Sequence, residues 1–442
     1  MGPPRSGHGI VRPALYGAGA LGASLLLQTI LLWFIYFYAP PAGQGTPRLS
    51  PALVGIALAS GRAVNALSNP PVAYWSDRLR SPWGRRRPFI ALGAPALAAC
   101  FILLWIPPDA PSHATFVYTL ATLAGFFFFF SLVMNPYAAL LPDITPAGPA
   151  RVATAAWQAG ASLGGVGAAV VVSPWLIAHR GFGAMGLALG VAAFGLLWAV
   201  AAGVPDPVRS PAAPSATFAG AITSVLHNRA FAVYLVSLAL LWLGTSMVNS
   251  TLVYVVTVLM GLPAAHVGTV LGAAFVCTLA AFPLLAATSR RFGAPRVLAW
   301  TLGVCSLIVP AIGAIGLRGL PLAPVAQGYV LVVLSAAPLA ALLVLPNALL
   351  ADIAELDRLR TGEGREAMFY AVQGLVLNGA TAAASVSLGQ LLTLGDSPGH
   401  TLGLRLVPVA AGACTLAALL TFRRFPPLPV PARRDERLGS GG

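Results

Sequence analysis

Long apolar stretches alternate with short polar ones along the whole of this chain. Each stretch has room for about 20 helical residues, the number that crosses a hydrocarbon core of about 30 Å. The pattern predicts twelve membrane-spanning helices and leaves little chain for a separate soluble domain. The predicted spans begin near Pro13, Pro51, Phe89, Thr115, Val152, Phe182, Arg229, His266, Arg296, Val325, Glu366 and Gly403.

The composition supports the same class of protein. Of the 442 residues, 57% are hydrophobic and only 9% are charged, whereas about a quarter of a soluble domain is charged. The first apolar stretch continues to Ala39 and is too long for a secretory signal, so we expect it to remain as the first helix. The fold class predicted here is an all-α integral membrane protein.

The net charge of +14 follows from arginines that lie in short loops. The densest group is the segment Ser76–Pro88, which reads SDRLRSPWGRRRP and joins the second and third predicted spans. Because most arginines fall on one side of the predicted topology, both termini are expected in the cytoplasm. We therefore expect a multi-pass protein of the cytoplasmic membrane. Its arginines are expected to set its orientation in the lipid bilayer and not to bind nucleic acid. The protein is expected to be a monomer.

Two motifs recur at an offset of about 210 residues. PYAALLPDI at Pro136–Ile144 returns as PNALLADI at Pro346–Ile353, and the arginine-rich loop returns as SRRFGAPR at Ser289–Arg296. A duplicated six-helix unit explains both, and two such bundles place a substrate site between them near mid-membrane. The predicted division is bundle 1–204, cytoplasmic linker 205–228, bundle 229–422 and tail 423–442.

Three landmarks resemble the major facilitator superfamily, and within it the glycoside, pentoside and hexuronide cation symporters, the group of the melibiose carrier. They are SDRLRSPWGRRRPFI from Ser76, NPYAALLPDIT from Asn135 and ALLADIAELDRLRTGEGREAMFYAVQ from Ala348. Plant-type sucrose carriers have nearly the same sequence as the first of these landmarks. In the third landmark the usual arginine is displaced by one position, to Arg365, and Ala367 replaces a glycine.

The resemblance implies a major facilitator fold and alternating-access transport of a sugar or glycoside with a cation. It also aligns the group's pair of cation-binding aspartates with Asn65 and Asn69 of this chain. Other charged positions of the group are neutral here as well. They align with Ser24, Met134, Gln158 and Asn378.

One charge remains inside a predicted span. Arg62 lies about eleven residues into the second one, roughly 16 Å deep, where an unpaired arginine is costly. It shares a helical face with Asn65 and Asn69. Either this face contacts substrate, or Arg62 is a structural clamp that bonds carbonyls and amides of neighbouring helices.

Amides can donate and accept hydrogen bonds at once, which suits sugar hydroxyls. We expect Gln158, Gln373 and Asn378 to contact substrate because they align with family binding positions, although each has interhelical hydrogen bonding as its alternative. The run Phe126–Phe130 is expected to face lipid.

Charged residues at one end of the predicted bundle are candidates for a gate. Ion pairs between the arginines and Asp143, or the acidic group Asp352, Glu355 and Asp357, would close that end and break in the other conformation. The alternative is that the arginines only anchor topology. The predicted gating residues are Asp77, Arg78, Arg85, Arg86, Asp143, Asp352 and Arg365.

These observations leave several functions open. The first is proton-coupled sugar symport, with the proton carried by a boundary acid such as Asp143 or Asp352. The second is uncoupled facilitation, or transport of an anionic solute such as a hexuronate with Arg62 as counter-charge. The third is a membrane scaffold or sensor that kept the fold. The sequence offers no nucleophile with a base, no metal-spaced ligands and no phosphate loop, so neither an enzyme nor a cofactor is expected.

Overall fold

The computed structural model describes residues 11–79, 81–108, 112–145, 149–204, 228–317, 319, 321–361 and 366–426. Within these ranges regular structure is helical, and a single β-bridge joins Ser397 and His400. Most of the predicted linker 205–228 and of the predicted tail 423–442 lies outside the described residues.

Eleven α-helices occupy the described part of the chain. They are α1 Val11–Tyr38, α2 Pro51–Arg78, α3 Arg87–Leu104, α4 Ser112–Ile144, α5 Pro149–Gly203, α6 Arg229–Tyr254, α7 Val267–Phe292, α8 Ala294–Ala311, α9 Pro324–Thr361, α10 Glu366–Leu392 and α11 Leu402–Phe422. A π-helical turn, Val255–Leu259, extends α6, and short 3₁₀ turns precede α7 and follow α8.

Ten of the described helices are long and apolar enough to cross a membrane. The exception is α2, whose interior holds Arg62, Asn65 and Asn69 and two consecutive prolines. α5 is 55 residues long and leaves helical geometry at Gly181, where φ is +80°. Glycine suits this bend because it lacks the Cβ that makes a positive φ costly. The two arms of α5, residues 149–180 and 182–203, are each about as long as a bilayer requires.

The helices pack in two halves with the same plan. In the N-terminal half, residues 11–204, α1 lies along α5, and α4 packs against both α2 and α3. In the C-terminal half, residues 228–426, α6 lies along α10 and α11, and α9 packs against both α7 and α8. The recurrence of motifs in the sequence is therefore matched by a recurrence of helix contacts.

The halves meet through α2 with α10, α5 with α7, and α1 with α6. The C-terminal residues that join the core of the N-terminal half lie near the α1–α2 loop, such as Val256, Leu271 and Leu388. At the other end of the C-terminal half, a second apolar cluster contains residues of that half alone. We call the end near the α1–α2 loop the loop end. The opposite end, which carries residues 81–86, is called the arginine end. The apolar core shared by the halves is thus concentrated at the loop end.

Candidate functional site

A cavity of about 300 Å³ opens within the N-terminal half. Its walls come from α1, α4 and the first arm of α5, which contribute four alanines together with six larger or polar side chains. Those six are Ser24, Leu27, Phe130, Met134, Gln158 and Ser162.

The polar groups of this cavity are neutral. The hydroxyls of Ser24 and Ser162 lie 2.6 Å apart and share a hydrogen bond between α1 and α5. Gln158 lies one helical turn before Ser162, so its amide and the serine pair face the same space. None of the lining residues that the structure describes carries a charge. Phe130, Met134 and Leu27 supply apolar walls that suit the C–H faces of a sugar ring.

A pair of tyrosines fixes α1 against α4 next to the cavity. The rings of Tyr16 and Tyr137 stack with centroids 4.5 Å apart. The Tyr137 hydroxyl donates to the Tyr16 carbonyl at 2.7 Å, and the Tyr16 hydroxyl donates to the Tyr137 carbonyl at 3.2 Å. A Cβ at Gly19 would lie 2.6 Å from the Tyr137 ring, so this close approach requires glycine. The spacing of the cavity walls therefore depends on this pair.

The predicted face of α2 points toward α4. Asn65 donates to the Phe127 carbonyl at 3.3 Å, and Asn69 accepts from Ser131 at 2.6 Å and from Asn135 at 3.0 Å. Both amides are thus engaged in hydrogen bonds between helices. They do not line the cavity beside Ser24 and Gln158.

Arg62 lies on the same side of α2. Its guanidinium stacks over the Phe127 ring, 4.9 Å from the centroid. It makes no hydrogen bond or ion pair with a described residue, so the cation–π contact is its electrostatic support there. This arrangement differs from the predicted clamp, in which Arg62 bonds carbonyls or amides.

The two predicted residues of α10 lie in the C-terminal half. Gln373 is buried, and its side-chain oxygen is 3.5 Å from the Tyr234 hydroxyl. Asn378 is half-buried and donates to the Gly374 carbonyl of its own helix at 3.0 Å. Of the six residues predicted to bind substrate, Gln158 alone lines the N-terminal cavity.

Several predicted gating residues are visible at the arginine end. Arg78 is exposed, stacks over the Tyr74 ring at 3.8 Å and donates to the Tyr74 hydroxyl. Arg86 is buried, Arg85 is half-buried and Asp352 is exposed. Arg365 and the side chains of Asp77 and Asp143 lie outside the described residues, so the predicted ion pairs remain a prediction.

The phenylalanine run does not simply face lipid. Phe126 and Phe127 are buried in the core, and Phe130 lines the cavity. The expectation was wrong for these three because five consecutive apolar residues cover every direction around a helix. The run alone does not reveal which of them meet other helices.

Polar contacts join the halves at the loop end, and sequence reasoning missed them. The Tyr254 hydroxyl on α6 donates to the Ala39 carbonyl, with the Ile35 carbonyl 3.4 Å away. Gln44 donates to the Thr257 carbonyl at 3.4 Å and accepts from the Tyr36 hydroxyl at 3.0 Å. Nothing in the spacing of these residues signals the contact. Ser162, by contrast, was detectable as the polar residue one turn after Gln158.

The family described as MFS/sugar transport protein matches residues 15–426 of this chain. Among curated relatives, the inner membrane symporter YicJ of Escherichia coli is 27% identical over 160 residues, 36% of this chain and 34% of the relative. The glucuronide carrier protein homolog of E. coli is 27% identical over 143 residues, 32% of this chain and 30% of the relative. Each alignment thus spans about a third of the relative's length.

Solved structures match over nearly the full length. A variant of the nucleoside transporter NupG gives a TM-score of 0.73 at 13% identity, covering 94% of this chain and 99% of the other. A POT family transporter in complex with 5-aminolevulinic acid gives 0.67 at 14% identity, covering 96% and 98%. At these identities the likeness concerns the fold. Taken with the match over residues 15–426, it confirms the predicted superfamily: this chain belongs to the MFS/sugar transport protein family.

Proposed function

We propose that this protein is a secondary transporter that moves a small, neutral, sugar-like solute across the cytoplasmic membrane by alternating access. The proposal is supported mainly by the N-terminal cavity, in which uncharged hydroxyl and amide groups face apolar walls. Its volume of about 300 Å³ is at the lower end of the range for small-molecule sites. Relatives named as symporters and a carrier add support.

The proposed topology has twelve spans in two six-helix bundles. It requires that α2 crosses the membrane despite its polar interior and that the two arms of α5 cross separately around Gly181. Residues 205–228 then link the bundles. The arginine end faces the cytoplasm, as do both termini, because the arginine-rich segment Ser76–Pro88 lies there.

Alternating access requires that contacts at one end break while contacts at the other form. In the proposed cycle, the loop-end contacts of Tyr254 and Gln44 belong to the inward-facing state. The predicted gating residues at the arginine end, from Asp77 to Arg365, close that end in the outward-facing state. Arg62, Asn65, Asn69, Gln373 and Asn378 remain predicted contributors to the transport path.

Proton coupling is the proposed driving force, with Asp143 or Asp352 as carrier of the proton. The described lining of the cavity contains no ionisable side chain, so the proton and the solute would bind at separate places. A second candidate, transport of an anionic solute, is favoured by Arg62, whose guanidinium has no acidic partner among the described residues. An uncoupled facilitator and a non-transporting scaffold or sensor are the remaining alternatives.

Uptake by proteoliposomes tests the proposal. Purified protein is reconstituted and offered radiolabelled neutral mono- and disaccharides, glycosides and hexuronates, with and without a proton gradient. We expect gradient-dependent accumulation of a neutral sugar or glycoside. Equilibration without accumulation would support the facilitator, hexuronate selectivity would support the Arg62 alternative, and no uptake or counterflow of any solute would contradict transport.

Variants locate the site. Gln158→Leu keeps the size of the side chain and removes the amide from the cavity, so uptake is expected to fall by about tenfold or more. Gln390→Leu makes the same change at an exposed position near the end of α10 and is expected to leave uptake unchanged. Equal uptake by both variants would place the substrate outside this cavity.

A further inference from the structure

A second cavity, of about 220 Å³, lies within the C-terminal half. It is enclosed by α6, α7, α8 and α9 together with the π-helical turn after α6, and it shares no lining residue with the N-terminal cavity. Most of its walls are aliphatic, including Leu252, Val270, Ile308 and Leu331. The proposed transport site does not use this space.

Asn249 on α6 lines the cavity, and its amide is unsatisfied. The side-chain oxygen is buried and has no hydrogen-bond partner. The amide nitrogen likewise makes no hydrogen bond with a described residue. Buried amide oxygens without a hydrogen-bond partner are destabilising and therefore rare in folded proteins.

Two other polar residues of the cavity, Thr245 and Ser335, already have hydrogen-bond partners. Thr245 donates to the Leu241 carbonyl at 2.9 Å, and Ser335 donates to the Val332 carbonyl at 2.9 Å. Both bonds are made within the residue's own helix. The Asn249 amide is therefore the group in this cavity that a ligand would satisfy, and an amide pairs with a hydroxyl as both acceptor and donor.

The size and polarity of the cavity define the ligand class. A cavity of about 150 Å³ lined by aliphatic and aromatic side chains holds benzene, so about 220 Å³ admits a ring with a short alkyl chain. No charged residue among those described lines the space, which argues against a ligand that needs a counter-charge. We propose that the C-terminal half binds a small, neutral, largely apolar alcohol or phenol whose hydroxyl pairs with Asn249.

A matched pair of probes tests this site. 4-Propylphenol and propylbenzene have the same apolar body and differ by the hydroxyl. Each is dialysed to equilibrium against full-length protein in lipid nanodiscs, with empty nanodiscs subtracted to remove partition into lipid. We expect saturable binding of both at one site, with the phenol bound about 3- to 10-fold more tightly, the effect of one net hydrogen bond.

Variants assign the binding to the cavity. Asn249→Leu preserves volume and removes the amide, so the preference for the phenol should disappear while propylbenzene still binds. Asn347→Leu makes the same change at an exposed position of α9 and should keep the preference. Ala274→Phe fills the cavity and should abolish binding of both probes, a result that does not depend on Asn249→Leu folding.

Three outcomes overturn the proposal. They are no saturable binding above empty nanodiscs, a phenol preference that survives in Asn249→Leu, and binding that persists in Ala274→Phe. Because the readout is binding in the absence of any transported solute, its failure is distinct from a failure of the proposed transport function.

Discussion

The two halves of the molecule share one packing plan, but the N-terminal cavity has a larger share of polar lining residues than the C-terminal one. In each half, a tyrosine on the first helix donates to a carbonyl at the recurring motif of the fourth: Tyr16 to Tyr137 at 3.2 Å and Tyr234 to Pro346 at 2.8 Å. The N-terminal cavity is lined by two serines and a glutamine, whereas the C-terminal one is mostly aliphatic around Asn249. The helix contacts thus recur between the halves, whereas the cavity linings differ.

The halves also differ at the recurring motif, which is Pro136–Ile144 in the N-terminal half and Pro346–Ile353 in the C-terminal half. Tyr137 is buried, and its hydroxyl returns a hydrogen bond to α1, whereas the corresponding Asn347 is exposed. At the recurring motif, the N-terminal half therefore has a reciprocal pair of hydrogen bonds, whereas the C-terminal half has the single bond donated by Tyr234 to the Pro346 carbonyl. A polar site with fixed walls is more readily maintained in the first than in the second.

The largest expected change in conformation concerns the contact by which the halves meet. A Cβ at Gly389 on α10 would lie 2.6 Å from the Pro51 carbonyl of α2. Gly389→Leu should destabilise the loop-end contact by about 1–3 kcal/mol and shift the population about 5- to 150-fold toward a state open at that end. Spin labels are attached at Ala42→Cys and His400→Cys in a background without the native cysteines. The distance between the two labels, measured by double electron–electron resonance, would report the opening.

Gly374→Leu provides the control for that shift. It introduces the same side chain on α10, at a position where a Cβ would meet nothing within 4 Å. The label distance should match that of the unsubstituted protein. An unchanged distance in Gly389→Leu would show that the close approach of α2 and α10 does not hold the halves together.

The next effect compares the two copies of the recurring motif. Tyr137→Ala removes a buried ring, its stacking on Tyr16 and its hydrogen bond, and should lower the free energy of unfolding by about 3–5 kcal/mol. Asn347→Ala, at the corresponding exposed position, should change it by no more than about 0.5 kcal/mol. Equilibrium unfolding in bicelles measures both. Equal losses would contradict the asymmetry of the halves.

A smaller effect contrasts the serines of the two cavities. Ser162→Ala removes a hydroxyl from the N-terminal cavity and should raise KM for the transported solute about 3- to 10-fold, as expected for one hydrogen bond. Ser335→Ala makes the same change in the C-terminal cavity and should leave KM unaltered. Initial uptake rates over a range of solute concentrations give both values. A rise in KM for Ser335→Ala would place solute in the C-terminal half.

The smallest effect depends on pH at the loop end. Burial raises the pKa of the Asp396 carboxyl, between α10 and α11, above its ordinary value of 3.8. A raised pKa in the folded state means that stability is greatest while the group is neutral and falls as pH rises through that pKa. Asp396→Asn should abolish this fall, raising Tm by about 2 °C or less above the raised pKa. Parallel Tm curves against pH for both proteins would contradict it.

The fold class and the family could largely be predicted from the sequence because both depend on hydropathy and on short sequence motifs. The arginine-rich segment Ser76–Pro88 and the motif that recurs at Pro346 predicted the superfamily, which the match over residues 15–426 confirms. The helical segments were also predicted, although the described residues contain ten membrane-competent helices where twelve spans were expected. The difference arises from α2, which is polar, and from α5, which continues through the predicted boundary near Phe182.

The candidate site was predictable only in part. Gln158 was predicted to contact substrate from its alignment with a family position. Ser24 and Met134, which align with charged positions of the group, line the same cavity. Asn65 and Asn69 belong to the same alignment, but they bond α4 instead of lining that cavity. Alignment gives a residue its place along a helix, whereas the rotation of the helix decides which neighbour its side chain reaches.

The sequence alone determined that the chain is a helical membrane protein with motifs that recur in its two halves, because hydropathy and motif recurrence can be read directly from the order of the residues. Tertiary structure decided that Ser24, Gln158 and Ser162 share a cavity and that Tyr254 joins the halves at Ala39. The physical reason is that lipid and neighbouring helices are equally apolar. Periodicity therefore does not distinguish a side chain that faces lipid from one that packs inside the bundle.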